Sequence, residues 1–180
     1  NDDDLAHTIR GIVNHGMYVR YHHDVVGVNS RLDSIQATVL RAKLPHLDAY
    51  NKARREAAKK YTDAFKGVKN IITPTCFCDS ENYSCNDCDC HVYHQYTLKI
   101  VDADRDALAK HLNENDIPCG VYYPIPLHLQ KAYADERYDE NDFKVTNQLV
   151  KEVISLPMHT ELDDEQIKFI TDTIINFLNQ

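Results

Sequence analysis

The chain is organised around one stretch, Gly27-Val28-Asn29-Ser30-Arg31-Leu32-Asp33-Ser34-Ile35-Gln36-Ala37, in which a loop carrying an amide and a guanidinium runs into a helix. Ser30 and Asp33 have the spacing of a capping box, in which two side chains satisfy the first N–H groups of a helix. An apolar stripe at helical spacing follows, formed by Leu32, Ile35, Val39 and Leu40. The pattern predicts that Asn29 and Arg31 lie at a rigid helix start that favours anions. An ordinary N-cap beside a solvated arginine is the alternative.

Three helices are predicted in the first third of the chain. Residues 4–14 have apolar side chains on one side, and the following Gly16 suits a left-handed helix cap. Residues 32–43 form the second helix, which ends because Pro45 restricts the residue before it. Residues 45–66 have the helical period of a third helix, whose basic residues are most simply its solvated face. A phosphate-binding patch on that face is the less favoured interpretation.

Strands and helices alternate in the rest of the chain. Residues 93–101 alternate between apolar and polar side chains, as in a strand with one buried face. A helix over residues 104–115 separates this strand from a short one at 120–123. A helix capped by Thr146 and a last helix capped by Asp163 with Gln166 complete the pattern. Strands separated by a helix predict a small α/β layer.

Composition excludes several classes of protein. The formal net charge is −8 and the pI is about 5.6, so a nucleic acid or an anionic membrane is not expected as the main partner. No apolar run approaches the roughly 20 residues that a membrane span needs. The chain begins with Asn1 rather than Met, so we expect a piece of a longer polypeptide or a processed chain.

Three stretches resemble, in the same order, segments of the DegT/DnrJ/EryC1/StrS family of pyridoxal-phosphate (PLP) dependent sugar aminotransferases. They are residues 21–37, Gly120-Val121-Tyr122-Tyr123-Pro124-Ile125-Pro126-Leu127-His128-Leu129-Gln130, and Ser155-Leu156-Pro157-Met158-His159-Thr160-Glu161-Leu162. The resemblance covers nearly the whole chain except residues 76–90. It implies an α/β fold: the small C-terminal domain and leading helices of a fold-type-I aminotransferase, with a small sheet packed against helices.

The resemblance also implies a domain division and an activity. Residues 1–66 would be a helical segment leading into a small α/β domain at 67–180, which carries a Cys-rich insertion at 76–90. The complete enzyme would transfer an amino group, usually from glutamate, to a keto group of a nucleotide-linked sugar. The sequences of residues 32–50 and 121–133 most resemble those of enzymes that aminate the 3-keto position of a UDP-linked N-acetylhexuronate.

The resemblance assigns no catalytic residue to this chain. In the family, one lysine carries PLP covalently and an aspartate holds its pyridine nitrogen. No stretch here resembles the surroundings of that lysine. The chain alone is therefore expected to be inactive.

The resemblance does imply binding residues. The counterpart of Asn29 reaches across a dimer interface to the phosphate of PLP in the neighbouring subunit, a task that suits a neutral amide donor. The sugar-nucleotide pocket would be lined by the counterparts of Arg31, Tyr122, Tyr123, His128 and Tyr21. A packed loop histidine is an equal interpretation of His128. The implied partners are a nucleotide sugar and a second copy of the chain, or the N-terminal half of the enzyme, in the cytoplasm.

The cysteines suggest a separate local site. The candidate metal ligands are Cys76, Cys78, Cys85, Cys88 and Cys90. They offer more thiolates than a four-coordinate zinc needs, although their spacing matches no standard zinc finger. A structural zinc loop and an unmetallated surface insertion are equally favoured. Disulfides rank third, because thiols stay reduced in the cytosol. Cys119 stands apart from this group and is predicted to be a small buried hydrophobe.

Two other functional classes remain open. The chain could be a non-catalytic module that binds a nucleotide sugar or a partner chain. It could also be a zinc-stabilised structural domain in which the Cys-rich loop is the functional part. Absorbance changes with PLP, titration with a UDP-sugar, and metal analysis distinguish the three classes.

Overall fold

The computed structural model describes residues 1–75, 91–133 and 135–179. The chain packs as two compact units, residues 1–47 and residues 48–180. The sequence analysis divided the chain at residue 66, between a leading helical segment and a small α/β domain. That functional division stays a prediction. Within the described residues, no helix combines the length and apolar character that crossing a bilayer requires.

The first unit contains two helices and a short hairpin. Its elements are α1 (Asp3–Val13), β1 (Met17–Val19), β2 (His22–His23) and α2 (Ser34–Lys43). The Asp2 carboxylate accepts a hydrogen bond from the Leu5 N–H at 2.9 Å and caps α1. The predicted cap residue Gly16 has a φ of +76°, which confirms the left-handed turn after this helix.

The capping box predicted for Ser30 and Asp33 is wrong. The helix begins at Ser34, and Asp33 is its N-cap, because the Asp33 carboxylate accepts from the Gln36 N–H at 2.8 Å. Ser30 instead lies in the loop before the helix, where its N–H donates to the Val13 carbonyl. Ser30 and Asp33 are both residue types that cap helices. Because the Ser30 N–H is bonded to α1, the helix begins after Asp33.

The second unit holds most of the regular structure. After a 3-10 turn at Leu44–His46, the elements are α3 (Leu47–Ala64), β3 (Ile71–Ile72), β4 (Tyr96–Ile100), α4 (Arg105–Glu114), α5 (Lys144–Glu152), β5 (Val153–Leu156) and α6 (Asp164–Leu178). The sheet is antiparallel in the order β3-β4-β5. Leu98 lies opposite Ile154, and Tyr96 lies opposite Leu156. The capping box predicted for Asp163 and Gln166 is present at the start of α6.

Two predicted elements differ from the structure. Residues 120–123 form no strand, and Gly120 makes only an isolated bridge with Ser155. Thr146 caps no helix, because α5 begins at Lys144 after a 3-10 turn over Glu140–Phe143. The strand β5 was not predicted, since its four residues directly follow a helix without an intervening turn signal.

The core of the second unit is built on one face of the sheet. Side chains that are at most 2% exposed come from α3, β4, α4, β5 and α6, and include Tyr61, Tyr96, Leu98, Ile100, Leu108, Leu112, Ile154 and Ile174. The Tyr61 hydroxyl donates to the Pro157 carbonyl at 3.1 Å, and the Tyr96 hydroxyl shares a hydrogen bond with Thr62 at 2.8 Å. Burial raises the pKa of both tyrosines well above the usual value, so both stay neutral.

A buried arginine ties α4 to the end of α5. The Arg105 guanidinium donates to the carbonyls of Val153 at 2.6 Å and Val150 at 3.0 Å. These carbonyls belong to the last turn of α5 and the residue after it, where helix C-termini lack intrahelical partners. The remaining bond runs to Asp106, which is largely exposed, so that ion pair contributes little.

Replacing Arg105 with methionine should lower the free energy of unfolding by about 1.5–3 kcal/mol, the usual contribution of hydrogen bonds from a charged donor. Urea unfolding followed by circular dichroism measures this change. Lys110→Met on the exposed side of the same helix is the matched control, and we expect it to stay close to wild type. Equal stability of the two variants would contradict the role assigned to Arg105.

Candidate functional site

The loop that carries Asn29 is fixed to the end of α1 by backbone hydrogen bonds. The Val28 N–H donates to the Ile12 carbonyl at 2.8 Å, and the Ser30 N–H donates to the Val13 carbonyl at 3.0 Å. Asn29 therefore lies between two residues whose amides are held by the last turn of a helix. The carbonyls that accept these bonds are the ones that a helix end leaves without partners.

Glycine is required beside this loop because two backbone segments approach closely. A Cβ atom on Gly27 would lie 2.1 Å from the Gly16 nitrogen and 2.5 Å from the Ile12 carbonyl oxygen. Real Cβ atoms do not approach backbone atoms this closely, so a side chain at Gly27 would push the loop away from α1. Gly27 is the first residue of the Gly-Val-Asn-Ser-Arg stretch. The close approach of the two backbone segments explains why this position is a glycine.

Asn29 and Arg31 form one hydrogen-bonding group in the first unit. The Arg31 Nε donates to the Asn29 Oδ1 at 3.0 Å, and both side chains are exposed. This bond engages one lone pair of the amide oxygen and fixes which way the amide points. The Asn29 NH₂ group and the two terminal nitrogens of Arg31 keep their donors, and no partner engages them in the described part of the chain. The pair therefore presents several donors, together with one positive charge.

Tyr21 also lies in the first unit, at the turn between β1 and β2. Its side chain is 76% exposed, and the Arg20 guanidinium lies 4.8 Å from the ring centroid. The structure places Asn29, Arg31 and Tyr21 in one unit. The other candidate residues, Tyr122, Tyr123 and His128, lie in the second unit.

Tyr122 and Tyr123 line an apolar cleft of about 460 Å³ in the second unit. Its walls come from the segment after residue 121 and from α5, with these lining residues: Tyr122, Tyr123, Pro124, Ile125, Pro126, Leu127, Gln130, Thr146, Leu149, Val150 and Val153. The tyrosine rings lie edge to face with centroids 6.0 Å apart. Arg105 binds the carbonyls of Val150 and Val153, so the same guanidinium that caps α5 also holds one wall of this cleft.

His128 is packed into the loop next to this cleft and does not line it. Its ring lies against Phe143, with ring centroids 4.6 Å apart. Its Nε2 atom is buried and has no hydrogen-bond partner within the described residues. The contact with Phe143 agrees with a packed loop histidine, whereas the unpartnered Nε2 atom agrees with a binding role. The binding role of His128 therefore stays a prediction.

A second cleft of about 410 Å³ opens at the end of β4 and β5. Its lining residues are His94, Gln95, Pro118, Cys119, Gly120, Tyr122, Ser155, Leu156, Pro157, Met158 and His159. Tyr122 lines both clefts. A Cβ atom on Gly120 would lie 2.6 Å from the Tyr122 hydroxyl oxygen, so the glycine leaves room for this ring.

Arg54 holds the second cleft together and was missed by sequence reasoning. Its Nη1 donates to the carbonyls of Tyr93 at 3.3 Å, His94 at 3.2 Å and Met158 at 3.1 Å. Arg54 lies on α3, whose basic residues were predicted to form a solvated face. That prediction is therefore wrong for Arg54. Its place in the helical period of the buried residues Ala57, Ala58 and Tyr61 was the available signal.

The cysteine predictions have two outcomes. Cys119 packs against the core and its thiol donates to the Ala109 carbonyl at 3.7 Å, while burial raises the pKa of the thiol. This agrees with a small buried hydrophobe. The five candidate zinc ligands, Cys76, Cys78, Cys85, Cys88 and Cys90, lie outside the described residues. Elsewhere in the described chain, His, Cys, Asp and Glu form no cluster of three that could hold a metal ion.

Solved structures of aminotransferases match this fold. S. venezuelae DesV in complex with a ketimine intermediate matches with a TM-score of 0.84 and 32% identity, over 99% of this chain and 45% of that protein. A DegT DnrJ EryC1 StrS aminotransferase from Brucella abortus matches with a TM-score of 0.79 and 32% identity, over 100% of this chain and 45% of that one. The structure therefore defines part of an aminotransferase fold, which confirms the predicted fold class.

The family model of the DegT/DnrJ/EryC1/StrS aminotransferases matches residues 1–175, and the chain belongs to this family. The UDP-2-acetamido-2-deoxy-3-oxo-D-glucuronate aminotransferase of Pseudomonas aeruginosa is 40% identical over 176 residues, which are 98% of this chain and 45% of that protein. The UDP-N-acetyl-3-dehydro-alpha-D-glucosamine 3-aminotransferase of Acidithiobacillus ferrooxidans is 40% identical over 173 residues, 96% of this chain and 43% of that protein. The chain thus spans less than half the length of these relatives.

Proposed function

We propose that this chain forms the C-terminal part of a PLP-dependent aminotransferase that transfers an amino group to a keto group of a nucleotide-linked sugar. The observation that carries the proposal is the donor-rich pair of Asn29 and Arg31, held at a loop fixed to α1. Two similar proteins are named for 3-keto sugars linked to UDP, which supports a substrate of that kind. Glutamate is the proposed amino donor.

The donor pair fits the phosphate of PLP. Asn29 offers an NH₂ group whose orientation is fixed, because Arg31 Nε occupies the amide oxygen at 3.0 Å. A donor held in one orientation loses less conformational freedom when it binds a phosphate oxygen. When bound, PLP supplies an electron sink for the carbon that gains or loses the amino group. In this chain, Asn29 would hold the phosphate end of the cofactor without adding charge.

The remaining candidate residues would bind the sugar nucleotide. The terminal nitrogens of Arg31 can hold a carboxylate or a phosphate through two hydrogen bonds. The hydroxyls of Tyr122 and Tyr123, two exposed side chains that line the apolar cleft, can bond the sugar or the diphosphate. Tyr21 would contribute its exposed hydroxyl, and His128 its buried Nε2 atom.

The assembly is also part of the proposal. Asn29 would act on the cofactor of a neighbouring subunit in a cytoplasmic dimer, or on a paired N-terminal half. Residues 1–66 would carry the loop that crosses to the neighbour, and residues 67–180 would form the small domain. A zinc loop at 76–90 remains a prediction, and bound zinc measured in the purified protein would support it.

Replacing Asn29 with alanine tests the proposal in a chimera, where this chain replaces the matching segment of the Pseudomonas aeruginosa relative. One hydrogen bond to a charged group is worth about 1.5–3 kcal/mol, so the Kd for PLP should rise about 10- to 150-fold. Asn29→Asp should raise it further, because a carboxylate repels the phosphate. Fluorescence titration of the apoenzyme with PLP measures the Kd.

Asn113→Ala is the matched control, because Asn113 is an exposed amide on α4 that bonds only within its own helix. We expect its Kd to equal that of the unaltered chimera. An unchanged Kd in both Asn29 variants, with folding intact, would limit Asn29 to a role in the loop. It would then favour the alternative of a non-catalytic module.

A further inference from the structure

The second cleft, at the end of β4 and β5, combines several hydrogen-bond donors with an absence of acidic groups. Side chains from three separate segments reach it, namely His94, Gln95, Tyr122 and His159. None of the residues that line it is an aspartate or a glutamate. The formal net charge of the chain is −8, yet no carboxylate lines this cleft, as is also true of the first cleft.

His159 has a defined hydrogen-bonding role in this cleft. The Glu161 N–H donates to the Nδ1 atom of His159 at 3.2 Å. In the neutral ring, the proton then resides on Nε2, which becomes a donor. The His94 ring makes no hydrogen bond within the described residues, so its nitrogens are also available to a ligand.

Arg54 places a fixed positive charge behind the wall of the cleft. All three of its acceptors are backbone carbonyls, and two of them belong to the lining residues His94 and Met158. It pairs with no carboxylate in the described ranges, so its charge is not neutralised there by a neighbouring side chain. An anion in the cleft would therefore be attracted by this guanidinium, and more strongly than in bulk water.

We propose that this cleft binds the carboxylate group of a small molecule. A carboxylate carries one charge and accepts hydrogen bonds at two oxygens, which matches a few neutral donors and one guanidinium behind the wall. A phosphate dianion carries more charge and more acceptor oxygens, so these few donors would satisfy a smaller share of its hydrogen-bonding capacity. The proposal goes beyond the proposed function, because it requires neither PLP nor the lysine of the family.

Titration of the isotope-labelled chain with succinate tests the site by NMR. Succinate should cause saturable shifts of the amide signals of Gln95, Gly120 and His159, with a Kd in the millimolar range. His159→Phe keeps a ring but removes the donor, and it should weaken binding at least about fivefold. His111→Phe is the matched control, since His111 lies on α4 against Phe177 and outside the cleft, and its Kd should be unchanged.

Two Arg54 variants separate charge from simple structural support. Arg54→Gln removes the charge but keeps an N–H donor, whereas Arg54→Lys keeps the charge. We expect weaker binding of succinate in the first variant and substantial recovery in the second. High salt should weaken binding in the unaltered chain, as for an electrostatic contact.

Succinamide and inorganic phosphate complete the design. Succinamide has the size of succinate but no charge, and it should not shift the same signals. Equal shifts with succinamide, tighter binding of phosphate at the same residues, or no saturable shift with millimolar succinate would each overturn the proposal. Since these probes use the unaltered chain, the test holds even where an Arg54 variant does not fold. None of the measurements depends on amino transfer.

Discussion

Borohydride reduction of this chain in the presence of PLP should leave no lysine stoichiometrically labelled with a pyridoxyl group. A lysine that holds PLP must be desolvated or placed beside another cation, so that its amine is nucleophilic. No lysine in the described ranges is buried. Several are ion-paired at the surface, including Lys60 with Asp164 and Lys110 with Glu114.

Mass spectrometry of the intact, reduced chain measures this result directly. The matched control is the complete Pseudomonas aeruginosa relative, in which we expect one pyridoxyl group per chain. Labelling of a single lysine of this chain at one equivalent would contradict the expectation. It would mean that the chain carries its own cofactor lysine outside any recognisable motif.

The isolated chain should also self-associate, with a mass above its 20.8 kDa monomer in sedimentation velocity. The predicted apolar stripe is exposed in this structure, at 80% for Ile35, 50% for Val39 and 56% for Leu40 on α2, and at 62% for Leu32 just before the helix. Contiguous exposed apolar surface on a protein usually marks an interaction site.

Charge introduced into the stripe tests whether this surface is responsible. Ile35→Glu and Leu40→Glu together should shift the distribution to monomer, because burying a charge in an apolar interface is costly. Thr38→Glu on the same helix is the control, since it adds a charge at a residue outside the stripe. A clean monomer in the unaltered chain would contradict the prediction and favour an independent module.

Local chemistry explains which parts of the fold could be predicted. The box of Asp163 and Gln166 and the left-handed Gly16 are short-range features, and the structure contains both. The alternation along β4 predicted its buried face, because period two is imposed by the strand itself. The prediction of Ser30 as a helix cap failed because the Ser30 N–H bonds to Val13, which lies 17 residues earlier in the chain. The spacing of residues within the stretch does not reveal that bond.

Distance along the chain explains what sequence reasoning missed. The carbonyls that Arg54 binds lie 39 to 104 residues away from it. Arg105 likewise binds carbonyls 45 and 48 residues away. The helical period places Arg54 beside buried residues, but it does not reveal which carbonyls the guanidinium binds. Asn29 and Arg31 were found through the resemblance, whereas their mutual hydrogen bond depends on side-chain geometry.

Amino transfer by the chimera described above is the most direct measurement of the proposed function. This chain would supply the Asn29 loop and the Tyr122–Tyr123 segment, and the rest of the relative would supply the cofactor lysine. With glutamate and a UDP-linked 3-keto sugar as substrates, we predict that the chimera forms the 3-amino sugar nucleotide. Mass spectrometry measures this product. Asn29→Ala should reduce it at limiting PLP. A folded chimera that binds PLP but aminates no nucleotide-linked keto sugar would contradict the assignment.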